Sequence, residues 1–266
     1  MYDRFNRKIN YLRISVTDRC NLRCVYCMPA EGIRLLKHSD ILTFDEITEV
    51  VREAVSLGID KVRLTGGEPL VRKGVVDLVR MISGVEGIND LSMTTNGILL
   101  DKFAHQLKKA GLQRVNVSLD TIDPEKYRQI TRNGDLEDVF RGLDAAREAG
   151  LEPIKLNCVV ERSSDEPDAL RVKKFGEDNG FEVRFIHQMD LATGQYSVVE
   201  GGRGGHCALC NRLRLTANGL IKPCLFDARG YSVRNLGAKN AILEAVRNKP
   251  ACGTRNLKEQ FYNLGG

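Results

Sequence analysis

Leu12-Arg13-Ile14-Ser15-Val16-Thr17-Asp18-Arg19-Cys20-Asn21-Leu22-Arg23-Cys24-Val25-Tyr26-Cys27 joins a β-branched run to a loop carrying three thiols. The run reads as a strand, Leu12–Thr17, and it is the first of six. The others are Lys61–Thr65, Asp90–Thr95, Arg114–Asp120, Ile154–Val160 and Glu182–Met189. Helical periodicity falls between them, near 44–57, 73–83, 101–110, 124–131, 136–149 and 166–179. Thr43 with Glu46 makes a capping box, and Gly58 closes the helix it opens. Strand–helix alternation on this scale predicts a parallel α/β sheet, open or curled into a partial (β/α)6 TIM-like barrel. Ligands of such sheets gather where the strands end. Polar stretches lie at just those places: the thiol loop, Gly66-Gly67-Glu68-Pro69, Thr95-Asn96-Gly97, and Ser118 with Asp120.

Three cysteines within eight residues can fold around one iron–sulfur cubane. With no fourth thiol nearby, one iron stays open, as catalytic metal sites keep a position open. A zinc knuckle completed by a distant ligand would use the same residues. The chain has eight cysteines, and Cys207, Cys210 and Cys224 form a second triad. Zinc completed by His206 competes there. Cys158 and Cys252 stand apart and read as small core or surface residues. Clustered thiols suit ligation better than disulfides in a reducing compartment. Arg212 and Arg214, at alternate positions of a run that reads as a strand, point the same way and suit a phosphate.

The bulk figures are those of an ordinary globular chain, 42% hydrophobic and 28% charged. No apolar stretch reaches the roughly 18 residues of a bilayer span, and no h-region follows the basic N-terminus. A cytoplasmic protein without membrane contact is expected. Net charge +5 comes from 40 basic and 35 acidic residues with no long run. A nucleic-acid binder concentrates its basic residues on one face, so this excess fits a small polyanionic substrate at least as well, and equally a solvated surface with a slight positive excess.

The Cys-x3-Cys-x2-Cys loop after a first strand, with Tyr26 before its last thiol, resembles the radical S-adenosylmethionine (SAM) superfamily. Gly66-Gly67-Glu68-Pro69 is similar to that superfamily's contact for the methionine amino group. Ser15 through Pro29, Leu64–Leu70, Thr94–Gly97, Val115–Asp120 and the terminal Gly265-Gly266 resemble the GTP 3′,8-cyclases of molybdenum cofactor biosynthesis. The resemblance implies two 4Fe-4S clusters, on Cys20, Cys24 and Cys27 and on Cys207, Cys210 and Cys224, each with an open iron. It implies SAM held by Tyr26, Gly67, Glu68, Thr95, Asn96, Ser118 and Met189, with Asp120 nearby. GTP would be held by Arg13, Arg63, Lys155, Arg184, Arg212 and Arg214, the last two being catalytic. A 5′-deoxyadenosyl radical would take hydrogen from C3′ of GTP, and that carbon would close onto C8. An electron-donor protein is implied, a homodimer is compatible, and Gly265-Gly266 would reach into the barrel.

The match fails in places. Only 17 residues separate Met189 from Cys207, where the family carries a longer segment, and His187 and Gln188 replace acidic and aromatic residues. This divides the chain into a barrel, 1–190, and a linker with a cluster-bearing extension, 191–266. Two alternatives stay open: a two-cluster radical enzyme acting on a peptide or another nucleotide, and a zinc-stabilised scaffold without activity.

Overall fold

The structure, a computed structural model, describes residues 1–257. Six parallel strands appear where alternation placed them: β1 (Tyr11–Ser15), β2 (Lys61–Thr65), β3 (Asp90–Thr95), β4 (Arg114–Ser118), β5 (Lys155–Val160) and β6 (Glu182–His187). Helices α1 (Phe44–Ser56), α2 (Val75–Ser83), α3 (Leu100–Lys109), α4 (Pro124–Thr131), α5 (Leu136–Glu148) and α6 (Pro167–Asn179) connect them. The Thr43–Glu46 capping box forms in both directions, Glu46 N donating to Thr43 Oγ1 and Thr43 N to Glu46 Oε2.

The strands alternate strictly. Leu12 and Ile14, Val62 and Leu64, Val115 and Val117, and Leu156, Cys158 and Val160 are buried in the main hydrophobic core. Period two sends their neighbours to the opposite face of the sheet: Arg13 and Ser15, Arg63 and Thr65, Asn116 and Ser118, Asn157. Apolar residues on one face hold the helices, so the polar set faces inward, away from them. Cys158 belongs to the packing set, as its isolation in the sequence suggested.

The sheet does not end with the six repeats. Strand β7 (Arg212–Leu215) runs parallel to β1, and β8 (Leu220–Lys222) and β9 (Tyr231–Ser232) follow antiparallel. The spatial order is β6-β5-β4-β3-β2-β1-β7-β8-β9. Short α7 (Val233–Leu236) and α8 (Ala238–Arg247) complete the segment, with α8 packed on α1. Arg13 registers with Arg63 on one side and with Arg214 on the other. Three guanidinium-bearing positions therefore form one row across β2, β1 and β7. Among the described residues no helix is long and apolar enough to cross a membrane.

Candidate functional site

The thiol loop leaves β1 and is pinned from three directions. Gly67 N donates to Thr17 O at 2.7 Å and Glu68 N to Arg19 O at 2.8 Å, stitching the Gly-Gly-Glu turn to the loop. A Cβ on Gly67 would stand 2.3 Å from Arg19 O, so only glycine permits this approach. What this glycine admits is the backbone of the thiol loop. The C-terminal end of α4 holds the other side: Val25 N donates to Ile130 O, and Arg132 Nη1 donates to Arg23 O and Met28 O at 2.6 and 2.8 Å. Arg132 was not singled out in the sequence, because nothing local links it to a loop 100 residues earlier.

Cys20, Cys24 and Cys27 line one cavity of about 230 Å³ with Tyr26, Gly67, Glu68, Thr95, Asn96, Ser118 and Met189. All seven residues expected to hold SAM are thus on its wall, joined by Asn157, His187 and Gln188. Burial raises the Cys24 thiol to about 12 and the Cys27 thiol to about 11. Metal-free, these thiols keep their protons, and a cation must displace them. Among the described residues no three His, Cys, Asp or Glu side chains converge as ligands of a single ion would, whereas a cubane is held by thiolates around its faces. Three thiols on one concave wall fit the cluster.

Glu68 is almost wholly buried and accepts from Leu70 N at 3.0 Å, Thr95 Oγ1 at 2.8 Å and Asn96 N at 2.7 Å. A carboxylate offers about four acceptor sites, so one more donor, such as an ammonium in the cavity, can be taken. Burial lifts its carboxyl to about 7 against those three bonds. Asn96 Nδ2 donates to Asn21 Oδ1 at 2.8 Å, tying β3's end to the thiol loop. Asp120 departs from expectation. It is half-buried, accepting from Tyr26 OH at 2.7 Å and Val159 N at 2.8 Å, and it orients the tyrosine instead of lining the cavity.

A second cavity of about 150 Å³ holds Cys207, Cys210 and Cys224 with Arg212, Arg214, Arg203, Tyr196 and Lys249. Arg13, Ile186 and Met189 line both cavities, so the two share a wall. Lys249, buried, donates from Nζ to Arg212 O at 2.7 Å and Pro223 O at 2.5 Å, and its charge favours the Cys210 thiolate. These three thiols around one hollow also fit a cluster. Burial, then Arg212, brings Arg214 down to about 10, and burial with Arg214 presses Arg13 well below its usual range. Cations crowded out of water this way are relieved by an anion.

Not every expected residue reaches a cavity. Arg63 shares the row with Arg13 and Arg214, yet its Nε donates to Ser92 Oγ at 3.1 Å and its plane lies over Tyr11, outside both hollows. Lys155 pairs with Glu182 on the neighbouring strand. Arg184 lies beside Gly202, off both linings, with a buried Nε that has no partner. Gly265-Gly266 lies outside the described residues. Cys252, set aside in the sequence, stands 3.1 Å from Cys207 Sγ. A larger concavity of about 670 Å³ between α1 and α8 carries no thiol and lies on the outer side of α1.

Residues 14–171, more than half of the chain, match the model of the radical SAM superfamily. The GTP 3′,8-cyclase of Thermodesulfovibrio yellowstonii is 41% identical over 306 positions, covering 98% of this chain and 95% of that protein. The chain belongs to the GTP 3′,8-cyclase family. The family member from Peptoclostridium acidaminophilum is 40% identical over 319 positions, covering 100% and 98%. Since 98% of 266 residues is about 261, some 45 of the 306 positions of the first alignment face a gap in this chain. This member is therefore shorter internally than its relatives. Among solved structures, Streptococcus suis SuiB bound to S-adenosylmethionine superposes with a TM-score of 0.69 at 16% identity, over 93% of this chain and 66% of that one. Methylornithine synthase gives 0.60 at 16%, over 96% and 78%. At such identities these two speak for the fold, a radical SAM α/β sheet.

Proposed function

We propose that this protein is a GTP 3′,8-cyclase, converting GTP to 3′,8-cyclo-7,8-dihydro-GTP for the molybdenum cofactor. The observation that carries the reading is the shared wall. A cavity lined by the superfamily's thiol triad adjoins a hollow lined by arginines and a second triad. The names of relatives near 40% identity over nearly their full length support the substrate.

Cys20, Cys24 and Cys27 would hold the first 4Fe-4S cluster, and Cys207, Cys210 and Cys224 a second. With SAM, the first supplies the electron and the hydrogen-abstracting species. Glu68 would accept the ligand's ammonium, with Thr95 and Asn96 holding that carboxylate in place. Tyr26, fixed by Asp120, walls the SAM side. Arg212 and Arg214 would draw the triphosphate into the second hollow, and Arg13 would bridge the two ligands. Met189 and Ile186 keep the shared wall apolar beside that charge, which limits water near the reacting atoms. The boundary near residue 190 would separate the SAM-binding part from the substrate-binding part. An electron-donor protein would complete the reaction in the cytoplasm.

Anaerobic incubation with SAM, a low-potential reductant and GTP should give 5′-deoxyadenosine and the cyclised nucleotide in step. 5′-Deoxyadenosine without GTP consumption would refute the substrate and keep the radical chemistry.

A further inference from the structure

Cys252 is far in sequence from the second triad but not in space. Its Sγ lies 3.1 Å from Cys207 Sγ, and Tyr196 OH touches both, 2.7 Å from Cys207 Sγ and 2.6 Å from Cys252 Sγ. The placement is anchored. Arg7, buried with its partner Asp3, donates to Cys207 O at 2.8 Å, Ala251 O at 2.9 Å and Pro250 O at 2.7 Å. One guanidinium thus clamps the segment bearing Cys207 to the segment bearing Cys252. The next residue closes on the third member of the triad: a Cβ on Gly253 would stand 3.2 Å from Cys224 Sγ. Four thiols therefore gather round one hollow, three within it and the fourth exposed at its rim.

We infer that Cys252 supplies the fourth thiolate of the cluster on Cys207, Cys210 and Cys224 while substrate is absent, and yields that iron when GTP binds. This rests on the second-cluster reading above. Iron–sulfur clusters take four thiolates where four are available, and an exposed thiol on a short loop can both reach an iron and leave it. Ligation changes no oxidation state. The Cys252 S–H proton passes to solvent as the Fe–S bond forms, and a proton returns to the thiol when GTP displaces it. Cys207 and Cys252 then occupy different irons, which parts the two sulfurs now side by side.

Two measurements test this. In a C20S/C24S/C27S variant, reconstitution should leave about four irons per chain, all from the second site; no iron there would overturn the second cluster itself, whatever Cys252 does. With iron bound, mild oxidation by ferricyanide should leave the four-iron cluster intact, while adding C252S should release one iron and give the three-iron electron paramagnetic resonance signal. An equal three-iron signal with and without Cys252 would overturn the inference. On the wild-type protein, iodoacetamide and mass spectrometry should find Cys252 protected by the cluster, labelled once iron is chelated, and labelled again on adding GTP. Labelling that ignores the cluster would refute ligation. Protection outlasting chelation until a thiol reductant is added would mean a Cys207–Cys252 disulfide, and would refute it equally. Protection unchanged by GTP would refute the exchange.

Discussion

Replacing Gly67 by alanine tests whether the Gly-Gly-Glu turn is a clamp on the thiol loop. The new Cβ would meet Arg19 O at 2.3 Å and the Arg19 carbonyl carbon at 2.6 Å. Both are backbone atoms, so no side chain can swing aside. Reaching ordinary contact at 3.4 Å requires a shift of about 1.1 Å, comparable to the overpacking that costs roughly 1–3 kcal/mol. The shift stretches Gly67 N to Thr17 O and Glu68 N to Arg19 O, now 2.7 and 2.8 Å. Losing the two would cost about 1–3 kcal/mol at the usual net value. A destabilisation of about 2–6 kcal/mol follows, and it falls on the loop carrying Cys20, Cys24 and Cys27. Urea unfolding of the metal-free protein should report that loss, and reconstituted G67A should hold about half the wild-type iron because only the first triad is displaced. Full iron content with stability within about 0.5 kcal/mol of wild type would refute the clamp.

Glu68 has a carboxyl near 7 in the fold against 4.5 in the ordinary case. The native state therefore holds the extra proton between those values, and stability should fall by about 3 kcal/mol as pH rises from about 4.5 to 7. E68Q should flatten that slope in urea titrations of the metal-free protein, and a slope unchanged in E68Q would show that other groups set it. The same ionisation should weaken SAM binding about tenfold from pH 8 to pH 6, since an ammonium needs the carboxylate; calorimetry finding equal affinities would discard Glu68 as its acceptor. K249M would strand the buried carbonyls of Arg212 and Pro223 and cost about 2–5 kcal/mol, with iron lost from the second site alone; iron lost from both sites would point to global unfolding instead. R212M removes one bond, to Arg203 O at 3.0 Å, so it should cost about 1 kcal/mol of stability but tenfold or more in GTP affinity; unchanged GTP binding would move the phosphates elsewhere.

How much could be read beforehand follows from the range of the interactions. Lys61–Thr65 and Asp90–Thr95 emerged with the observed ends, and the Thr43–Glu46 box formed as expected, because alternation and capping are local. Strand ends drifted where bonding continues past the strand: Gln188 N still donates to Val160 O after β6 has ended at His187. The first triad and the residues that share its cavity were legible because they lie at or just after strand ends. Arg63 and Lys155 were not. Their alternation aims them inward, but Ser92 and Glu182 on adjacent strands claim them, and such pairings depend on register. The seating of β7 beside β1, and of Cys252 beside Cys207, joins positions 201 and 45 residues apart. No spacing rule covers such distances.

Arg13 has one guanidinium facing two rooms. A ligand carboxylate on one side and a phosphate on the other would draw on the same charge, so the two affinities cannot be independent. Thermodynamic reciprocity then requires that whatever factor GTP imposes on SAM binding, SAM imposes on GTP binding. A single residue at the centre of β1 would then make the enzyme register whether both partners have arrived.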